Sequence, residues 1–330
     1  MTQEQVPAAR KVPWTLVLRY VLLLAVIAYA IYFLSTQWSG IRATLTTIAP
    51  LSLVLSTLSV ALGLACGTMS WVAVLNGLGD DRVPAARGAQ IMLVGSLGKY
   101  VPGSLWAYLM QMELGRQYGV QRARVLLSSL YSAGIGVVAS LILGSLALPT
   151  VFQGQRELLW LFLLLPVGLV CLHPRVMTFL AGLVFKVARR TPLTHRVSGM
   201  AVLKALGWVL VSYLFYGLHL WLLANSLVDP SLYLFVLLTG AISLGFTIGL
   251  FAFVLPSGVG AREAVLIGAL SIVLTQAQGA GISLVSRATF TLVDLVGAGV
   301  AALAAVALRK RLAASATAET PVEPEPTSAT

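Results

Sequence analysis

Charge is what this chain has least of. Asp, Glu, Lys and Arg make up 10% of its 330 residues, against about 25% in an average soluble domain. Cysteine is nearly absent: Cys66 and Cys171 each lie within an apolar run. Two such positions form neither a disulfide framework nor metal-ligand spacing. The three histidines, His173, His195 and His219, are scattered. No Walker loop, nucleotide fingerprint or HExxH helix occurs, which argues against an ATP-driven pump and a zinc hydrolase. No Ser-His-Asp set is recognisable. The expectation is a protein that is not an enzyme and carries no cofactor and no metal. An intramembrane lipid-modifying enzyme with Glu113 and Glu263 as acid and base has no nucleophile or metal site behind it.

What the chain has in abundance is apolar length. Hydrophobic residues make up 58% of it, arranged in long charge-poor runs that identify a polytopic membrane protein. Runs cover Trp14–Thr36, Leu51–Leu75, Val125–Leu148, Leu158–Leu172, Ala201–Ser226, Ser231–Leu255, Ala264–Thr275 and Ile282–Leu308. The fourth spans only about 22 Å at 1.5 Å per residue, and Pro166 interrupts it. The first follows Arg10 and Lys11 but is too long for a signal peptide and has no cleavage site, so it reads as an uncleaved span. The expected fold is all-α, with about six to eight spans and one or two re-entrant or broken helix pairs. The domain reading is a cytoplasmic segment 1–13, one transmembrane domain 14–312, and a disordered cytoplasmic tail 313–330 rich in Ala, Thr, Pro and Glu.

The segment Ala89–Met112 contains Lys99, then Pro102-Gly103. Pro removes a backbone donor and Gly permits unusual dihedrals. In lipid such a break is tolerated only where protein or a water-filled cavity receives it. Charge decides how the segment runs. If it enters and returns on one side, with both termini cytoplasmic, then 16 of the 22 Lys and Arg fall in cytoplasmic loops. A single crossing would put the basic stretch Pro174–Lys204 and the Arg309-Lys310-Arg311 end outside, against the positive-inside bias. Two half-helices, about Ala89–Leu97 and Ser104–Met112, are therefore expected to form a hairpin. The net charge of +11 then reflects topology and anionic lipid; nucleic acid is not an expected partner.

A second break lies at Pro256, Gly258 and Gly260, with Arg262-Glu263 opening the next run. Glu263 suits a helix N-terminus, and backbone N–H groups there, with Arg262 beside them, suit a phosphate or carboxylate. Interrupted segments in both halves are the pattern of an inverted repeat around a central site. Charge counting leaves open whether this break is a hairpin or a full crossing. Ionisable residues at membrane depth are expensive and usually functional. Lys99, Glu113, Arg262, Glu263 and Asp294 are the candidates, while Arg19 and Arg287 lie close enough to span ends to snorkel. Asp294 has no near partner in sequence; Lys99, Arg262 and Arg287 are its candidates in space. Gly63-x-x-x-Gly67 and Gly245-x-x-x-Gly249 favour close helix packing, and Arg175–Arg190 has the pattern of a surface helix.

The stretches GKYVPGSLW (Gly98–Trp106) and LPSGVGAREA (Leu255–Ala264) together resemble the flippase-like membrane family related to the transmembrane region of lysylphosphatidylglycerol synthases. Lys99, Tyr100, Pro102, Gly103, Ser104 and Trp106 match the first motif; Pro256, Gly258, Gly260, Arg262 and Glu263 match the second. Ser257 stands where the family usually has glycine, which affects the turn. No aminoacyl-transferase domain follows in this sequence, so lipid aminoacylation is not expected. The resemblance implies movement of a phospholipid or lipid-linked sugar across the cytoplasmic (inner) membrane, with membrane lipids as partners. In that reading Lys99 and Arg262 hold a phosphate. Glu263, Asp294 and Glu113 balance charge or bind an amine or proton, and Tyr100, Ser104 and Trp106 line the groove. The alternative is a non-transporting membrane partner of a glycosyltransferase or envelope-synthesis complex.

Overall fold

A computed structural model describes residues 41–100, 106–151, 197–252 and 258–318, with isolated positions between 32 and 39 and at 170 and 176. Nearly all of Trp14–Thr36 and Leu158–Leu172, the stretch Arg175–Arg190, and Pro102, Gly103, Ser104 and Pro256 lie outside these residues. Among the described residues there are helices and no strands. Eight helices are named here: α1 (Pro50–Gly77), α2 (Ala85–Ser96), α3 (Trp106–Gln117), α4 (Arg122–Val151), α5 (Gly199–Ala224), α6 (Leu232–Phe251), α7 (Ala261–Leu270) and α8 (Gln276–Ala318). A 3-10 turn, Leu97–Tyr100, extends α2. Five of them, α1, α4, α5, α6 and α8, are long and apolar enough to cross a membrane; the first four match the expected spans to within about four residues, and α8 begins six residues before its expected span Ile282–Leu308. α8 continues to Ala318, past the expected start of the tail at Ala313, through an alanine-rich stretch of high helix propensity.

Local chemistry sets several of the starts. Pro50 occupies the first turn of α1, where its missing N–H costs nothing. Ser198 caps α5 by accepting from the Ala201 N–H at 3.2 Å, and Ser231 caps α6 by accepting from the Leu234 N–H at 3.1 Å.

α1 packs along α5 over much of its length. Any side chain at Gly63 would run into the Tyr216 ring and the Ser212 carbonyl. Ser212 Oγ donates to the Gly63 carbonyl at 2.7 Å, Ser59 Oγ to Phe215 O at 2.7 Å, and Ser70 Oγ to Ala205 O at 2.8 Å. Between lipid-facing helices there is little hydrophobic drive, so small residues and cross-helix hydrogen bonds of this kind hold the pair together.

The faces of the molecule follow from contacts at the helix ends. Ser52 Oγ bonds Asn225 Oδ1 at 3.2 Å and Ala49 N bonds Ser226 Oγ at 3.2 Å. The start of α1 therefore lies on the same face as the end of α5 and the start of α6. A side chain at Gly281 of α8 would meet Thr44, which places the start of α8 on that face too. At the opposite face, Arg124 Nε donates to Leu75 O at 2.9 Å and Arg124 Nη2 to Asp81 O at 2.8 Å, joining the start of α4 to the end of α1.

Two hairpins result, entering from opposite faces. α2 and α3 leave from the end of α1 and return to the start of α4. Each has 12 residues, about 18 Å, too short to cross about 30 Å of hydrocarbon. They pack so closely that a side chain at Gly95 would strike the Gln111 backbone and one at Gly98 the backbone of Trp106 and Ala107. On the other side α6 enters, the chain breaks, and α7 doubles back along α6 before α8 begins at the face where α6 started. Gly249 and Gly258 face each other across that break. The second break is thus a hairpin, the alternative that charge counting left open. The pair of opposed hairpins has the inverted architecture anticipated from the two breaks.

Candidate functional site

Both hairpin tips meet α8 between Ser286 and Asp294, an interval of about 12 Å along the helix. At the first tip, Lys99 Nζ forms an ion pair with Asp294 Oδ2 at 2.6 Å. Tyr100 donates its hydroxyl to the same oxygen, also at 2.6 Å, and the Lys99 ammonium lies 5.4 Å from the Tyr100 ring centre. The pair is asymmetric: the Lys99 side chain is 36% exposed and that of Asp294 is 6% exposed. Lysine can leave the pair for another anion, whereas the carboxylate is held in place. Of the three cations proposed for Asp294, the fold selects Lys99. Tyr100 is spent on the carboxylate, and Trp106 stands half-exposed at the start of α3.

At the second tip Gly258 and Gly260 have φ of 65° and 88°, values that favour glycine. They aim the chain into α7. Glu263 Oε2 accepts from the Gly260 N–H at 2.7 Å, so one of the N–H groups expected to face an anion already has a partner. Glu263 Oε1 pairs with Arg287 Nη1 at 3.2 Å. Arg287 is thus a second link between hairpin and α8 rather than a snorkelling residue.

Arg262 turns inward and is 6% exposed. Its guanidinium lies between the rings of Phe246 and Phe290, at 4.3 and 4.1 Å from their centres. Gly245 and Gly249 of α6 lie alongside Arg262, within ordinary contact distance of it. The Arg262 Nη2 donates to Ser286 Oγ at 3.4 Å. Among the described residues its Nε has no hydrogen-bond partner, and no carboxylate lies within ion-pair distance. Two aromatic faces compensate part of the burial of this charge; an anion would compensate the rest.

His219 is the residue that sequence reasoning missed. It is fully buried. Its Nδ1 is 2.6 Å from Ser56 Oγ and its Nε2 is 2.9 Å from Ser286 Oγ. The ring meets the edge of Phe290 with centres 5.4 Å apart. A polar chain therefore runs from α1 through α5 and α8 to Arg262. The available signal was a lone histidine in an apolar span, which the intramembrane rule covers.

Glu113 does not join this group. It is exposed, paired with Arg116 at 2.6 Å and Arg122 at 2.7 Å. The two arginines hold its carboxyl well below the usual range, at about 2. Among the described residues no three of His, Cys, Asp and Glu gather into a metal-binding set.

The family model for the lysylphosphatidylglycerol synthase TM region matches residues 16–298. The chain belongs to that family. No curated protein matches the chain.

Proposed function

We propose that this member of the lysylphosphatidylglycerol synthase transmembrane family moves a phospholipid or lipid-linked sugar between the leaflets of the cytoplasmic membrane. The observation that carries the reading is the meeting of two opposed hairpin tips on α8, each bringing a cation that an anionic headgroup can engage. Lys99 is half-open and bound to one carboxylate; Arg262 is buried without one. A phosphate reaching the first tip draws Lys99 from Asp294, and Tyr100 keeps the carboxylate hydrogen-bonded meanwhile. Arg262 offers the next anion site toward the opposite face. The polar tips keep the headgroup out of hydrocarbon while acyl chains stay in lipid. Chemistry on the lipid is not part of this reading. The face bearing Arg82, Arg87, Arg116, Arg122 and Lys204 is assigned to the cytoplasm by its charge.

The test is leaflet exchange of fluorescent lipids in proteoliposomes, with phospholipids and a polyprenyl-linked sugar lipid as substrates. Wild-type protein accelerates exchange of at least one of them. Lys99→Ala slows it at least about tenfold, a barrier increase of about 1.4 kcal/mol. Arg262→Lys, which keeps the charge but not the planar contact with both rings, slows it as well. Exchange that is unchanged in both variants overturns the roles given to these residues. No exchange of any lipid by the wild type, together with co-purification of a glycosyltransferase, would favour the non-transporting assembly reading.

A further inference from the structure

The hydrogen bonds around Arg262 run in one direction. Arg262 Nη2 donates to Ser286 Oγ at 3.4 Å, and the same oxygen lies 2.9 Å from His219 Nε2. A guanidinium has donors only, so Ser286 accepts from it. Among the described residues, the acceptor within reach of the Ser286 hydroxyl proton is His219 Nε2. That nitrogen is therefore bare, and the ring proton sits on Nδ1, 2.6 Å from Ser56 Oγ and 3.3 Å from Ser56 O. The result is a neutral imidazole whose vacant nitrogen is a single hydroxyl away from a buried guanidinium.

Charge determines what this arrangement can hold. A singly charged anion beside Arg262 completes a neutral pair, and a proton added to His219 then leaves a buried charge in excess, which is unfavourable. A doubly charged anion leaves one negative charge over, and a proton on His219 cancels it. The other charged groups facing this region are already engaged. Glu263 of α7 pairs with Arg287 of α8 and accepts from the Gly260 N–H. Asp294 of α8 pairs with Lys99 and accepts from Tyr100. α1 and α6 carry no charged residue, and α4 carries charge only in its first turn. On α5, Tyr213 and Tyr216 are phenols, uncharged at neutral pH, and Lys204 is about 22 Å along the helix from His219. His219 can thus take a proton without an ion pair being broken.

We propose that Arg262 and His219 together form a site for a doubly charged phosphate group, and that His219 takes up one proton from water as that group binds. The proton goes to Nε2, and the Ser286 hydroxyl turns from Nε2 to a phosphate oxygen. Arg262 Nε, without a hydrogen-bond partner among the described residues, donates to the same group. Release reverses these moves and returns the proton to water. A sugar linked to its lipid through a diphosphate carries two such charges; the headgroup of phosphatidylglycerol carries one. The site therefore prefers the first class of lipid. This preference rests on Arg262 receiving the headgroup anion, as in the translocase reading.

The experiment is titration calorimetry on the full chain in a neutral detergent near neutral pH. The probes are farnesyl-diphospho-N-acetylglucosamine and dioctanoyl phosphatidylglycerol, whose phosphates are fully ionised there. Two buffers of different ionisation enthalpy report the protons taken up per ligand bound. The diphosphate lipid should take up about one proton per molecule and phosphatidylglycerol about none. His219→Gln keeps a donor and an acceptor for the two serines but has no titratable ring. It should abolish the uptake and weaken binding of the diphosphate lipid about tenfold, a usual size for coupled sites. The comparison of the two lipids on wild type needs no variant, so it stands even where His219→Gln fails to fold. Equal uptake with both lipids, no uptake with either, or uptake kept in His219→Gln would overturn the site. UDP-N-acetylglucosamine, a soluble diphosphate of the same charge, should bind more weakly than the lipid; equal binding would overturn a lipid as the ligand. Arg262→Gln separates the two readings. Binding that depends on Arg262 but takes up no proton sinks this proposal and keeps the translocase role of Arg262; binding indifferent to Arg262 sinks both.

Discussion

At the scale of single residues, the asymmetry of Lys99 and Asp294 has measurable consequences. Removing the lysine strands a buried carboxylate with only the Tyr100 hydroxyl. Removing the carboxylate strands a lysine that reaches a more polar environment. Lys99→Met should therefore lower the melting temperature in detergent more than Asp294→Asn does. Breaking a buried pair from one side costs about 3–5 kcal/mol when the remaining group cannot escape; loss of Lys99 should approach that range, and loss of Asp294 should cost less because Lys99 is partly exposed. The double variant should recover most of the stability, because a neutral pair of similar volume leaves no charge stranded, yet it should not recover leaflet exchange. Loss of stability that simply adds between the single variants would show that the two side chains are not coupled. His219→Leu presents a related case. It leaves the Ser56 hydroxyl without its ring partner, at about 1–3 kcal/mol for a buried group left unpaired, and leaves Ser286 with the Arg262 contact. It should also loosen Arg262, read as a further loss of exchange in the folded fraction.

At the scale of elements, the hairpins depend on glycines whose reasons differ. Gly63 is needed because α5 lies against it; Gly258 and Gly260 are needed because φ is positive there. Gly260→Ala should cost about 1–2 kcal/mol from the backbone alone. Gly258→Ala should cost more, since the new methyl also meets the Gly249 backbone. Equal stability of both variants and wild type in thermal melts would contradict the turn geometry described here. Spans were legible in the sequence because their signal is local: apolar length announces each crossing. Whether the second break is a hairpin or a full crossing was not legible. Both alternatives return α8 to the same face, so loop charge does not separate them, and only the packing of α7 against α6 does.

At the scale of the whole molecule, the two hairpins open to opposite faces. Cysteines placed at Gln117 and Gln276 should then react with a membrane-impermeant maleimide from opposite sides in sealed vesicles, against a background with Cys66 and Cys171 replaced. Reaction of both from one side would overturn the inverted arrangement. This architecture explains how the chain carries a lysine, an arginine, an aspartate and a histidine at membrane depth: Lys99 and Arg262 are delivered by elements that do not cross, Asp294 is covered by Lys99 and Tyr100 of one of them, and His219 is enclosed between α1 and α8.

The sequence by itself determined that the chain resides in a membrane, where most described spans lie, where the helices break and which charged residues are exceptional. These are properties of composition and of neighbours along the chain. Tertiary structure alone decided that Asp294 belongs to Lys99 and Tyr100, that Glu263 belongs to Gly260 and Arg287, and that Arg262 is enclosed by Phe246 and Phe290. It also joined His219 to the site and left Glu113 with Arg116 and Arg122 at the surface. Apart from the capping of Gly260 and the Glu113 cluster, those partners come from different helices, often far apart in the chain, and their charges admit several pairings. Helix packing, which brings only one set of side chains to the same depth, selects among them.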